Sequence, residues 1–322
     1  MSAQRKQPAL DLLRLLAALM VLAVHTGQAA GLDAWTRTGA YGVELFFILS
    51  GYLSECSLEC SADPLRYYRR RAVRILPAYW LLLVLRWAVD ALRGIPCGTR
   101  YLRYFVFLQM LLPSDNYNLW NNRGALWTMS AFALFYLLAP WLHRLLWGFW
   151  PSMAALTTLL VCKGMLGGWI ERAMAGFPPQ AMADQFAAKT PLMVLHCFLF
   201  GTTLRRAIRE EKTLWFGVFC ALLPVATDFR RGAVECVLTL LVLAVVQSPA
   251  PRMLERVAKT VSFLSAGSFW LYLLHPLLLD FLPCWQGPLG MLALAALCVI
   301  VSYVTYGLAV RPLEQAAARK FA

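Results

Sequence analysis

Apolar residues run through this chain in long blocks broken by short polar connections. The blocks fall at roughly 10–26, 39–54, 77–92, 124–142, 151–170, 190–204, 214–228, 233–249, 262–282 and 289–310. Most approach the roughly 20 residues that carry a helix across a bilayer, and they lack the strict alternation of a half-buried strand. The pattern predicts an all-α polytopic membrane protein with about ten transmembrane helices. Residues 1–322 form a single integral membrane domain, since no repeat, low-complexity tract or soluble appendage interrupts them. The polar, basic stretch Ser2–Gln7 precedes the first block without a small-residue cleavage site after it, so that block reads as a retained span.

A further candidate, residues 101–112, is short and contains Arg103. Charge decides its path. With ten spans and the N-terminus inside, the inner segments hold 18 Lys/Arg, the outer loops nine, and three (Arg14, Arg86, Lys163) lie within spans. If residues 101–112 also cross, later loops change side and the balance becomes 12 inside against 14 outside. The positive-inside rule favours ten spans, both termini cytoplasmic, and a re-entrant or surface segment near 101–112.

Composition agrees: 60% of residues are hydrophobic and the formal net charge is +13. That excess fits anionic lipids, and no nucleic-acid motif accompanies it. The cysteines lie mostly inside apolar runs and imply no disulfide framework.

Against this apolar background, ionisable residues stand out, because each is costly in a membrane. Arg14 and His25 are eleven positions apart on the first helix. That is about three turns, so both lie on one face, about 16 Å apart along the axis. Glu44 opens the second span, GVELFFILSGYLS, where Ser50-Gly51 permits close helix approach. Arg66, Arg69, Arg70, Arg71 and Arg74 follow within nine residues. Arginine forks match phosphate oxygens, and Arg71 and Arg74, one turn apart before the third span, are the best placed. A topogenic, lipid-binding cluster is the simpler alternative. His196 reads as a satisfied core histidine. The amides and Trp120, Asn121 and Trp127 of the loop Ser114–Trp127 suit a sugar or an ordinary aromatic belt equally.

The Arg-x10-His stripe, GVELFFILSG, RRRAVRILP, LWTMSAFALFYLLAP (Leu126–Pro140) and FWLYLLHPLLL (Phe269–Leu279), in that order, resemble the acyltransferase-3 family of membrane O-acyltransferases. The resemblance implies an O-acetyltransferase of the bacterial inner (cytoplasmic) membrane. It would move an acetyl group from cytoplasmic acetyl-CoA, with no metal, to a hydroxyl of an envelope or exported glycan or lipid-linked sugar. Arg14, Arg71 and Arg74 then match the family's donor-binding positions, His25 its catalytic histidine, and His275 a family segment, here assigned to substrate binding. Many relatives carry Glu where this chain has Phe132 and Ala133, and another where it has Val310. Glu44 is therefore expected to orient His25. A transporter or proton relay, and a family member that has lost catalysis, are the alternatives.

Overall fold

The computed structural model describes residues 8–61, 63–95, 98, 100–110, 126–174, 189–226, 229–249 and 251–321. Among these the chain is all-α. Ten helices coincide with the ten apolar blocks: α1 (Pro8–Ala29), α3 (Gly42–Cys60), α4 (Pro64–Leu92), α6 (Trp127–Leu145), α7 (Phe149–Met174), α8 (Pro191–Arg209), α9 (Thr213–Ala226), α10 (Phe229–Gln247), α12 (Ala258–Leu279) and α13 (Gly287–Thr305). Short helices α2 (Asp33–Thr36), α5 (Arg100–Phe105) and α11 (Arg252–Arg256) connect them, and α14 (Arg311–Phe321) ends the chain.

Local chemistry sets several boundaries. The Asp63 carboxylate caps α4 by accepting from the Leu65 amide at 2.9 Å, with Pro64 at the first helical position. Pro191 likewise opens α8, here without a side-chain cap from Thr190. Between α13 and α14 the chain widens into a π turn, Tyr306–Val310. Pro312 explains it: without an N–H it cannot continue the helical hydrogen-bond ladder.

Five helical stretches are long and apolar enough to cross a membrane: Pro8–Ala29, Pro64–Leu92, Phe149–Ala173, Ala258–Leu279 and Gly287–Lys320. Outward-facing Val161, Met165 and Trp169 on α7, and Leu292, Ile300 and Val304 on α13, leave broad apolar faces that water would not tolerate. This is a membrane protein. α4 begins well before the apolar block at residue 77, so the arginine cluster is the first half of a long helix and not a loop. Among its described residues, the segment near 101–112 contributes the six-residue α5, about 9 Å long and too short to cross. It docks on α4 instead. The Tyr79 hydroxyl donates to the Tyr104 carbonyl and the Trp80 indole to the Phe105 carbonyl, at 2.9 and 3.2 Å.

α1 lies at the centre, packed against α3, α10, α12 and α13. The closest crossing joins α3 to α8. A Cβ at Gly201 would overlap the Ile48 carbonyl, and one at Gly51 the Phe198 carbonyl, so only glycines let these backbones meet. The expectation for Ser50-Gly51 is met. Around the crossing, Phe47, Phe132, Phe135 and Phe198 interlock with ring centroids 4.8 to 5.2 Å apart.

Buried charges are paired. Arg206 donates from Nε and Nη2 to the two Glu55 oxygens at 2.8 and 3.1 Å, tying α8 to α3 near the arginine-rich end. At the opposite end Arg86 meets Asp90 at 3.2 Å and Asp280 at 2.8 Å, joining α4 to the end of α12. Such pairs are kept because each partner cancels the cost of burying the other.

Candidate functional site

Near the arginine-rich end, α1, α3, α4, α6 and α12 line a half-open cleft with a cavity volume of about 110 Å³. Its wall is aromatic and apolar, with Phe46, Phe132, Tyr136, Phe269 and Tyr272, and its polar lining includes Arg14, Arg71 and Arg74. The three arginines singled out in the sequence thus converge, although they come from two helices. Arg66, Arg69 and Arg70 point outward instead.

Each guanidinium is held differently. Arg14 Nη1 lies 3.2 Å from Asp11 one turn earlier, and the same Asp11 oxygen accepts from the Ser265 hydroxyl at 3.1 Å. Arg71 sits over the Tyr136 and Tyr67 rings, 4.7 and 5.3 Å from their centroids, and donates to Ser54 Oγ at 3.2 Å. Arg74 donates to the Ala266 carbonyl at 3.2 Å, with Glu314 of α14 3.9 Å away. Three cations thus face two carboxylates, which leaves one positive charge for an anion. Of these supporting residues, Asp11 was legible from its three-residue spacing to Arg14. Ser265, Tyr136 and Glu314 come from distant parts of the chain and carried no local mark.

Phe132, at a position where relatives were expected to carry Glu, forms part of the cleft wall, its ring 5.9 Å from that of Tyr136. Val310 is fully buried. Neither position offers a carboxylate.

Beyond the cleft, Tyr272 leads to the second half of the site. It lines the cleft, shares a 2.8 Å hydrogen bond with Thr128, and its ring lies 6.2 Å from that of His275 one turn further along α12. His275 is completely buried and meets His25. The two rings lie 19° from parallel and meet edge to edge, with centroids 4.9 Å apart and His25 Nδ1 2.6 Å from His275 Nε2.

The protons on this pair follow from its surroundings. His275 Nδ1 is 3.0 Å from the Leu271 carbonyl, which can only accept, so that nitrogen carries the hydrogen. In a neutral ring Nε2 is then an acceptor, and His25 Nδ1 must donate to it. The basic nitrogen of His25 is therefore Nε2, the state a general base requires.

His275, expected to bind substrate, is thus the hydrogen-bond partner of His25 Nδ1. Glu44, expected in that role, lies half-buried in the first turn of α3, while the His25 Nδ1 position is taken by His275. Trp127 is buried at the start of α6, against Phe47 and with the Lys189 amine 5.9 Å from its ring. Trp120 and Asn121 lie outside the described residues.

Known proteins resemble this chain over most or part of its length. Nodulation protein 10 of Rhizobium leguminosarum bv. viciae is 27% identical over 342 residues, covering 89% of each chain. The peptidoglycan O-acetyltransferase OatA of Listeria monocytogenes serovar 1/2a is 32% identical over 83 residues, 24% of this chain and 12% of its own. No solved structure matches. Residues 7–309 match the family described as "Acyltransferase domain", and this chain is a member of that acyltransferase-3 family.

Proposed function

We propose that this membrane acyltransferase moves an acetyl group from cytoplasmic acetyl-CoA to a hydroxyl of an envelope or exported glycan, or of its lipid-linked precursor. The His25–His275 pair is the observation that carries the proposal. A buried imidazole with its Nδ1 hydrogen already committed, and its Nε2 left basic, is suited to accepting a proton from a weak acid such as a sugar hydroxyl.

In this reading Arg14, Arg71 and Arg74 hold the phosphates of the donor, since guanidinium forks favour phosphate oxygens. The donor's flexible pantetheine arm spans the roughly 16 Å between Arg14 and His25 along α1. His25 Nε2 takes the proton as the sugar oxygen bonds to the thioester carbonyl carbon. The carbon–sulfur bond then breaks, and the thiolate of CoA receives that proton. His275 stabilises the transient His25 imidazolium by accepting from its Nδ1–H, the role a carboxylate fills in the Ser-His-Asp arrangement. A neutral imidazole there avoids placing a permanent anion in an apolar bundle.

The remaining assignments belong to the same proposal. In a ten-span threading the arginine-rich end faces the cytoplasmic side of a bacterial inner membrane, with both termini on that side. The outward arginines 66, 69 and 70 then meet anionic lipids. The acceptor arrives from the opposite face, where Trp120, Asn121 and Trp127 offer amide and aromatic contacts.

The test compares envelope polysaccharide from cells expressing the wild-type chain with that from cells expressing His25→Ala at equal membrane abundance. Mass spectrometry should find base-labile acetyl groups in the first and not the second. Equal acetylation in both would remove His25 from catalysis.

A further inference from the structure

A second cluster of ionisable groups lies apart from the cleft and the histidine pair. His196 and Cys197 come from α8, Glu235 from α10, and all three are buried, at 1%, 1% and 3% exposure. Their donor atoms all lie within 4.8 Å of one another. His196 Nε2 is 2.8 Å from Glu235 Oε1 and 3.4 Å from Cys197 Sγ. The Lys163 amine approaches from α7, 3.0 Å from the same Nε2 and 4.0 Å from the Glu235 oxygen.

Hydrogen bonding does not account for this crowding. A ring nitrogen is either a donor or an acceptor, in one in-plane direction. If His196 Nε2 donates to Glu235 it cannot accept from Lys163, yet both stand at bonding distance and the thiol beside them. The other nitrogen, Nδ1, is buried without a hydrogen-bond partner. The core histidine expected from the sequence is thus buried and bonded through Nε2, but only that one nitrogen is satisfied.

We propose that His196, Cys197 and Glu235 form a site for a divalent transition metal of the zinc class, which pins α8 to α10. Bonds of 2.0 to 2.3 Å in a tetrahedral site put donor atoms about 3.3 to 3.8 Å apart. The observed 2.8 and 3.4 Å separations to His196 lie within about half an ångström of this, and Cys197 and Glu235, within 4.8 Å of each other, close by up to about 1.3 Å. One nitrogen, one sulfur and one carboxylate oxygen suit zinc, whereas magnesium and calcium prefer all-oxygen sets. The charges also close: the dication with a thiolate, a carboxylate and a neutral imidazole is neutral overall, the arrangement a bundle interior tolerates best. Binding releases the thiol proton to solvent. The Lys163 amine, which now supplies the positive charge at this point, withdraws along the face of α7, where its side chain is already 22% exposed.

The test uses full-length protein purified in detergent without a polyhistidine tag, stripped with chelator and then given Zn²⁺ or Co²⁺. We expect one ion per chain by mass spectrometry of the metal, and a near-ultraviolet thiolate-to-cobalt absorption band in the Co²⁺ form. Cys197→Ser should lose the band, and Glu235→Gln should weaken binding by at least about tenfold. Lys163→Met should bind at least as tightly as wild type. Three results would each overturn the site: substoichiometric metal in wild type, a cobalt form without the thiolate band, or abolition of binding by Lys163→Met. The first two need no variant, so misfolding of a mutant cannot obscure them.

Discussion

His25 on α1 and His275 on α12 are 250 residues apart in the chain, yet their ring nitrogens meet at 2.6 Å. Because the Leu271 carbonyl fixes the hydrogen on His275 Nδ1, the contact has one polarity, with His25 donating. If His275 orients His25, His275→Ala should lower kcat for acetyl transfer by roughly 10²-fold or more. The KM for the donor should change little, because the pair lies beyond the arginines. Glu44→Gln separates the two candidate partners: a small effect beside a large one for His275→Ala assigns orientation to the histidine. Steady-state transfer assays on isolated membranes decide between them.

The three guanidiniums around the cleft should show the opposite kinetic signature. Losing one charge-assisted contact costs about 1.5 to 3 kcal/mol, roughly 10- to 100-fold in donor affinity. Arg71→Ala should therefore raise the KM for acetyl-CoA by that factor with a smaller change in kcat. Arg71→Lys should rescue it only in part, since an ammonium cannot reproduce the fork or its stacking on Tyr136 and Tyr67. Donor titration at saturating acceptor is the measurement.

Helix packing makes a sharper structural prediction. Gly201→Ala should destabilise the protein by about 1 to 3 kcal/mol, because the new methyl group drives α8 away from the Ile48 carbonyl of α3. Gly217→Ala on α9 is the control, since a Cβ there meets nothing within 4 Å. Thermal unfolding in detergent should separate the two, with Gly217→Ala at or above wild type.

Glu55 holds Arg206 at the arginine-rich end, and both side chains are almost fully buried. Glu55→Gln leaves a buried guanidinium without its anion and should cost about 3 to 5 kcal/mol. At Glu59 the cations Arg205 and Arg209 are partly exposed, so Glu59→Gln should cost about 1 kcal/mol or less. Folded yield on size exclusion, with melting temperature, checks both.

What repeats along one helix could be read from local sequence. Among the described residues, apolar blocks located the ten long helices because hydrophobic length is a local property. Helical period put Arg14 and His25 on one stripe of α1, and a three-residue spacing sent Arg71 and Arg74 together into the cleft while Arg66, Arg69 and Arg70 turned away. The weak point was the membership of each contact across helices. His275, Tyr272, Ser265 and Glu314 reach the site from the last quarter of the chain, and no periodicity encodes which buried side chain a distant helix will present. Glu44 stood out as a carboxylate within a neighbouring apolar block, but order along the chain does not rank neighbours in a bundle. His196 shows the same limit: its apolar flanks read as core, and only the approach of α7 and α10 brought Lys163 and Glu235 to one nitrogen. Local sequence specified the helices and the faces they offer. Tertiary packing alone decided which buried polar groups meet, because burial forces each of them to find a partner wherever the fold supplies one.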